Sequence, residues 1–205
     1  MEETKKTSRW NANKTQAVVM LGLLTAIVIV LQAFSVGIQF GYFNVTFTLI
    51  PIIVGAALYG WKAGAWLGGV FGATVLISGQ AAGFMTLNPA GTIITVLLKG
   101  ILAGLVAGLV YKLISRKSEL AAVITAGIAA PIVNTGIFLL GCVVFFFNAM
   151  AAGAAAEGYS GVFSYLILFM VGGNFPFELG INLVLSSAAV YIIKLGKKLI
   201  RSSAK

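Results

Sequence analysis

Two charged residues stand where the surrounding sequence is apolar. Lys99 lies inside the run TIITVLLKGILAGLV, and Glu178 follows NFPF and precedes LGINLVL. A charge at depth in a bilayer is costly unless it is paired or faces water, so such residues point to function by default. Two readings apply: a structural Lys99–Glu178 ion pair that fixes helix packing, or contact of one or both with a polar ligand. They are compatible, because a ligand can insert into a pair. Asn134, Thr135, Asn174 and Asn182 are the other strongly polar residues in apolar stretches. Asn134 follows Pro131 by three positions, where a helix already lacks one hydrogen bond. Each asparagine reads equally as glue between helices or as a ligand contact. Asn88, before Pro89, and Asn174, two residues before Pro176, also suit helix starts, since proline favours the first helical position. Tyr42, Phe43 and Phe84, with Phe40, read either as interfacial aromatic anchors or as the cover of a pocket.

What is missing narrows the chemistry. The chain has no histidine and no aspartate. That argues against histidine-dependent intramembrane proteases, HExxH zinc enzymes and transferases built on aspartate clusters. No nucleophile constellation stands beside Lys99 and Glu178, and no GxxxxGK[ST] stretch offers a phosphate-binding loop. No enzymatic activity, metal or cofactor is expected. Active transport would draw its energy from a partner or an ion gradient. The single cysteine, Cys142, lies in an apolar run and reads as a small core residue.

The elements that position these groups are membrane helices. Sixty per cent of residues are hydrophobic, 9% are charged and mean hydropathy is +1.03. Runs of roughly 20 apolar residues match a bilayer core about 30 Å thick. The pattern predicts an all-α, polytopic membrane protein with six transmembrane helices in one domain over residues 15–195, flanked by basic tails at 1–14 and 196–205. No cleavage site follows the polar start, so the first apolar segment is expected to remain as a span. The spans fall near 15–34, 47–59, 63–77, 92–113, 120–147 and 175–193. Three uncharged or nearly uncharged loops, 35–46, 79–91 and 149–162, separate them on one side, and a short re-entrant or interfacial piece precedes the last span. The second and third spans form a hairpin about Gly60–Gly64. Gly64, Gly68 and Gly72, and again Gly100, Gly104 and Gly108, recur at four-residue spacing, which lets backbones approach closely in lipid.

Charge sets the orientation. Thirteen of the fourteen basic residues lie at the two termini, at Lys62 and in the turn carrying Lys112, Arg116 and Lys117; the other is Lys99. Lys and Arg accumulate on the cytoplasmic side, so both termini are read as cytoplasmic and the number of spans as even. This placement accounts for the +9 charge without a nucleic-acid partner.

In order and spacing, the hairpin LIPIIVGAALYGWKAGAWLGGVFGATVLISG, the stretch PIVNTGIFLLG and the segment NFPFELGINLVLSSAAVYIIK resemble the substrate-binding S components of energy-coupling factor (ECF) transporters, which are vitamin importers of bacterial and archaeal cell membranes. The resemblance covers about Gln16 to Lys198. It implies a pocket near the outer surface, formed by the outer loops and spans four to six, for a vitamin or related small molecule. It also implies a membrane-embedded T component and two ATPase subunits as partners, with the whole S component toppling to deliver its substrate. In the family a small-residue AxxxA patch on the first span meets the T component. Here the matching positions are Gly22 and Ala26, a GxxxA variant that preserves close approach. Lys99 and Glu178 fall where the resemblance puts the pocket.

A stand-alone secondary carrier is the main alternative. Such carriers commonly contain an internal repeat, but the halves on either side of Arg116 do not align: one holds the tight hairpin, the other long spans. A lipid-modifying enzyme is disfavoured by the absent histidine and aspartate.

Overall fold

The computed structural model describes residues 2–36, 39–40, 43–44, 47–172 and 175–202, with side chains left out for 2–14 and a few others. The chain folds almost entirely into helix. α1 runs Glu2–Val36 and is followed by a two-residue antiparallel pair, β1 (Gln39–Phe40) and β2 (Phe43–Asn44), in which Gln39 faces Asn44. Then come α2 (Leu49–Tyr59), α3 (Trp61–Ile77), α4 (Ala82–Leu87), α5 (Pro89–Ile114) and α6 (Glu119–Phe145). After α6 follow α7 (Phe147–Ala156), one helical turn α8 (Val162–Ser164), a π-helical segment Tyr165–Val171 and α9 (Phe175–Ser202).

Four helices are long and apolar enough to cross a membrane: those containing 15–35, 89–114, 119–145 and 178–200. The two hairpin helices are shorter. At 1.5 Å per residue α2 spans only about 16 Å and α3 about 26 Å. One residue joins them. Gly60 takes φ +89°, a left-handed conformation that glycine enters without steric cost, and it both ends α2 and starts α3. The chain folds back there, so that Gly64 packs on Ala56 and Gly55 on Leu67. α2 is largely buried by α1, α3, α5, α6 and α9 rather than lying against lipid.

The tightest seam joins α3 to α5. Gly64 sits against Gly104, Gly68 against Gly100, Gly72 against Val96, and Gly108 against Trp61. The pairs advance by four residues in opposite directions, so the helices are antiparallel and the two glycine series are each other's partners. A Cβ at Gly72 would lie 2.8 Å from the Val96 carbonyl, and at Gly68 or Gly104 closer still to the facing carbonyl. Only hydrogen fits at those positions.

α5 and α6 form the next pair, with Gly141 receiving Thr95 and Gly91 receiving Phe145. α9 closes the bundle against α6, where Gly127 faces Ser186 and Asn182, and against α2, where Gly196 meets Leu58. The Gly60 turn, the turn between α5 and α6 and the last turns of α9 therefore lie at one end, the end where α1 begins. A polar clamp ties three helices there. Lys197 Nζ lies 2.8 Å from Glu119 Oε1 and donates to the Tyr111 hydroxyl at 2.9 Å, and that hydroxyl donates to Glu119 at 3.3 Å. It is the only ion pair among the described residues.

Four stretches depart from the sequence reading. The 79–91 loop contains α4, and the 149–162 loop is mostly α7 and the start of α8. Both hold alanine, leucine or methionine, strong helix formers whose small or flexible side chains leave little apolar periodicity. α1 begins at Glu2 and α9 continues to Ser202, so helix runs through most of the flanking basic segments. Lys, Arg, Glu and Gln are good helix formers once an adjoining span has nucleated the helix.

Candidate ligand site inside the bundle

At the end away from the basic turns, the starts of α5 and α9 meet the end of α6. Asn88 caps α5: its Oδ1 accepts from Gly91 N–H at 2.9 Å, and Pro89 occupies the first helical position. This fixes where α5 starts. Because α5 starts at Pro89 rather than near Thr92, Lys99 lies ten residues in, about 15 Å along the axis rather than about 10 Å. Gly100, its neighbour, is locked in the α3 seam. The Lys99 side chain then lies between two aromatic rings, with Nζ 5.8 Å from the Phe71 centroid and 5.4 Å from that of Phe138. The negative ring faces offer part of a counter-charge.

Glu178 lies in the first turn of α9 and is 3% exposed. The positive end of the helix dipole favours a carboxylate there. Lys99 and Glu178 are close enough for their charges to interact, yet no nitrogen–oxygen pair between them comes within 4.0 Å. A direct structural ion pair is therefore not what holds these helices. Glu178 Oε1 is buried and accepts no hydrogen bond.

Asn182, one turn further along α9 and fully buried, donates from Nδ2 to the Glu178 backbone carbonyl at 2.8 Å. Only the amide nitrogen can donate to a carbonyl, so Oδ1 is left over, and it has no partner. Asn134 on α6 is buried and its Oδ1 also lacks a partner. α6 and α9 are antiparallel about Gly127, so two turns along α6 bring Asn134 to the level of Glu178. Buried polar atoms are nearly always satisfied in folded proteins. Three acceptor oxygens on the α6–α9 seam are thus left open at about one level of the bundle.

Phenylalanines wall the region on the other side. Phe84 packs edge-on against Phe138 and Phe146, with centroids 5.5 Å and 5.0 Å apart, and α4 carries it. Phe146, Met150, Leu166 and Cys142 form the small core cluster behind them, so Cys142 is the buried core residue its context suggested. A separate groove of about 150 Å³ between α5 and α6 is lined by Ile94, Leu98, Leu140 and Val144 but by neither Lys99 nor Glu178. Its lining is almost wholly apolar, with Thr95 the one hydroxyl.

Lys99 and Phe84 thus share the Phe138 ring, Lys99 and Glu178 lie within reach of each other's charge, Glu178 and Asn182 are bonded within α9, and Asn134 falls at their level on α6. Asn88 is occupied by its cap. Tyr42 and Asn174 lie outside the described residues, and of Phe43 only the backbone is described. Gly22 and Ala26 are exposed on α1, and no atom of the fold lies within 4 Å of a Cβ built at Gly22. Sequence reasoning missed Phe71 and Phe138, which look like any apolar helix residue; only their contact with Lys99 marks them. It also missed a buried polar chain at the same end of the bundle. There Thr48 donates to Gln32 Oε1 at 2.8 Å and Gln32 donates to Gln80, tying α1 to the starts of α2 and α4. Gln32 and Gln80 are amides within or beside helices, and that was a signal available in the sequence.

Among the described residues, a multi-pass bundle of apolar helices holds a lysine and a buried carboxylate that do not pair, beside aromatic rings, and this makes it a membrane protein with a candidate ligand site. The family of ECF transporter substrate-specific components matches residues 16–194, and the chain belongs to it. Members of this family are substrate-binding subunits of transporters. No curated protein and no solved structure matches the chain.

Proposed function

We propose that this protein captures a vitamin or related small molecule from outside the cell and delivers it through a T component driven by two ATPase subunits, in a bacterial or archaeal cell membrane. The observation that carries the reading is the interior site. Lys99 and Glu178 face one region without pairing, beside open amide oxygens and the rings of Phe71, Phe84 and Phe138. A bundle made for structure alone would have no use for two uncompensated charges.

In this reading the chain crosses six times with both termini cytoplasmic. The basic turns gathered at one end of the bundle support it. The short α2 fits because it is shielded by protein, where backbone need not satisfy the bilayer by itself. Lys99, Glu178, Asn134 and Asn182 contact the ligand, and Phe84 covers it. Gly22 and Ala26 present the bare face of α1 to the T component. That face has nothing of its own fold upon it, and its exposed neighbours Val18, Val19, Leu23 and Ile29 continue it.

Native mass spectrometry of the protein gently extracted from its host tests this. Co-purified T and ATPase subunits with a bound small molecule are expected. Protein without partners that still carries out uptake in ATP-free vesicles would assign it instead as a solitary carrier.

A further inference from the structure

The charges and the open oxygens together specify a kind of ligand. Glu178, the one acid in the interior cluster, is buried, and no cation of the described protein lies within 4.0 Å of it. Lys99 stands over the Phe71 and Phe138 rings rather than on Glu178, and the glycine seam fixes the backbone from which it projects. The α6–α9 pole offers three open acceptors: Glu178 Oε1, Asn134 Oδ1 and Asn182 Oδ1. An ammonium group carries three donor hydrogens and no acceptor. The α5 pole offers the reverse, an ammonium on Lys99 with aromatic faces and no bonded anion.

A neutral ligand would leave both charges unpaired. An anion would satisfy only Lys99, and a cation only Glu178. Leaving one partner of a desolvated charge pair open carries a large penalty. We propose that the ligand is a zwitterion. Its protonated amine is held by Glu178, Asn134 and Asn182, its carboxylate or other anionic group by Lys99, and an apolar or ring portion lies between them against Phe138 and Phe84. This rests on the reading of the site as the substrate pocket.

The test uses the whole purified protein in detergent, dialysed free of small molecules. A small-molecule extract of the host is separated by ion exchange into anionic, cationic, neutral and zwitterionic fractions, and each is assayed for its effect on thermal unfolding. Stabilisation by the zwitterionic fraction alone is expected. Glu178→Gln, nearly isosteric, should need at least tenfold more of that fraction for the same shift, and its unliganded melting temperature shows whether it is folded. Stabilisation by a neutral, purely anionic or purely cationic fraction would overturn the zwitterion while leaving the pocket standing. Stabilisation by sodium chloride over choline chloride without any extract would assign the acceptor oxygens to an inorganic cation and overturn it too. Should no fraction act, the pocket reading itself fails and the inference with it.

Discussion

Gly68 and Gly100 face each other across the α3–α5 seam so closely that a Cβ on either would overlap the other's carbonyl. The contact holds more than two helices. Lys99 precedes Gly100, and its ring partner Phe71 stands one turn from Gly68, so the seam sets the position of the charged side chain relative to its aromatic wall.

Gly68→Leu should therefore be among the most damaging single changes. Backbone atoms cannot move aside as a flexible side chain can, and overpacking of this kind costs about 1–3 kcal/mol or more. The melting temperature in detergent should fall by several degrees, and ligand binding should weaken with it. Gly69→Ala is the control, because a Cβ there meets only the Ile101 side chain, at 3.4 Å. Equal stability of the two variants would remove the seam from its organising role.

Lys99→Ala and Glu178→Ala should each weaken ligand binding more than tenfold, a loss of about 1.4 kcal/mol or more. Titration calorimetry with the co-purified ligand measures it. Unchanged affinity in both variants would dissolve the site built around them.

Asn88→Ala removes a helix cap rather than a ligand contact. It should destabilise the fold by about 1 kcal/mol and change affinity less than threefold. A loss of affinity as large as that of Lys99→Ala, without loss of stability, would return Asn88 to the pocket.

Gly22→Leu combined with Ala26→Leu should leave ligand binding intact and block assembly with the T component, because the added side chains project from a face that nothing in this fold covers. Co-purification of the partner subunits with the double variant reads this out. Normal assembly would move the interface off α1.

Legibility of the site divides along physical lines. Lys99 and Glu178 were visible because a charge in an apolar run costs so much that chance does not explain it. Asn134 and Asn182 were visible as polar residues, but their two readings separated only once the hydrogen-bond partners were known. For Asn182, one part of the side chain bonds within its own helix and the other stays open. Asn88-Pro89 carried both a capping and a binding reading, and the accepted Gly91 N–H favours the cap. Phe71 and Phe138 were invisible, since an aromatic ring in a lipid-soluble helix looks the same whether it meets lipid, core or a cation.

The sequence alone determined that this is a helical membrane protein. Roughly 20-residue apolar runs and four-residue glycine spacing follow from bilayer thickness and helix pitch, which do not depend on tertiary context. It also carried the resemblance to the ECF substrate-binding components. Only the tertiary structure decided that the two glycine series pack on each other, that α2 is too short to cross as an ordinary span, and that Lys99 and Glu178 come near without pairing. Pairing, register and the last few ångströms between charges depend on residues far apart in the chain, and no local pattern encodes those distances.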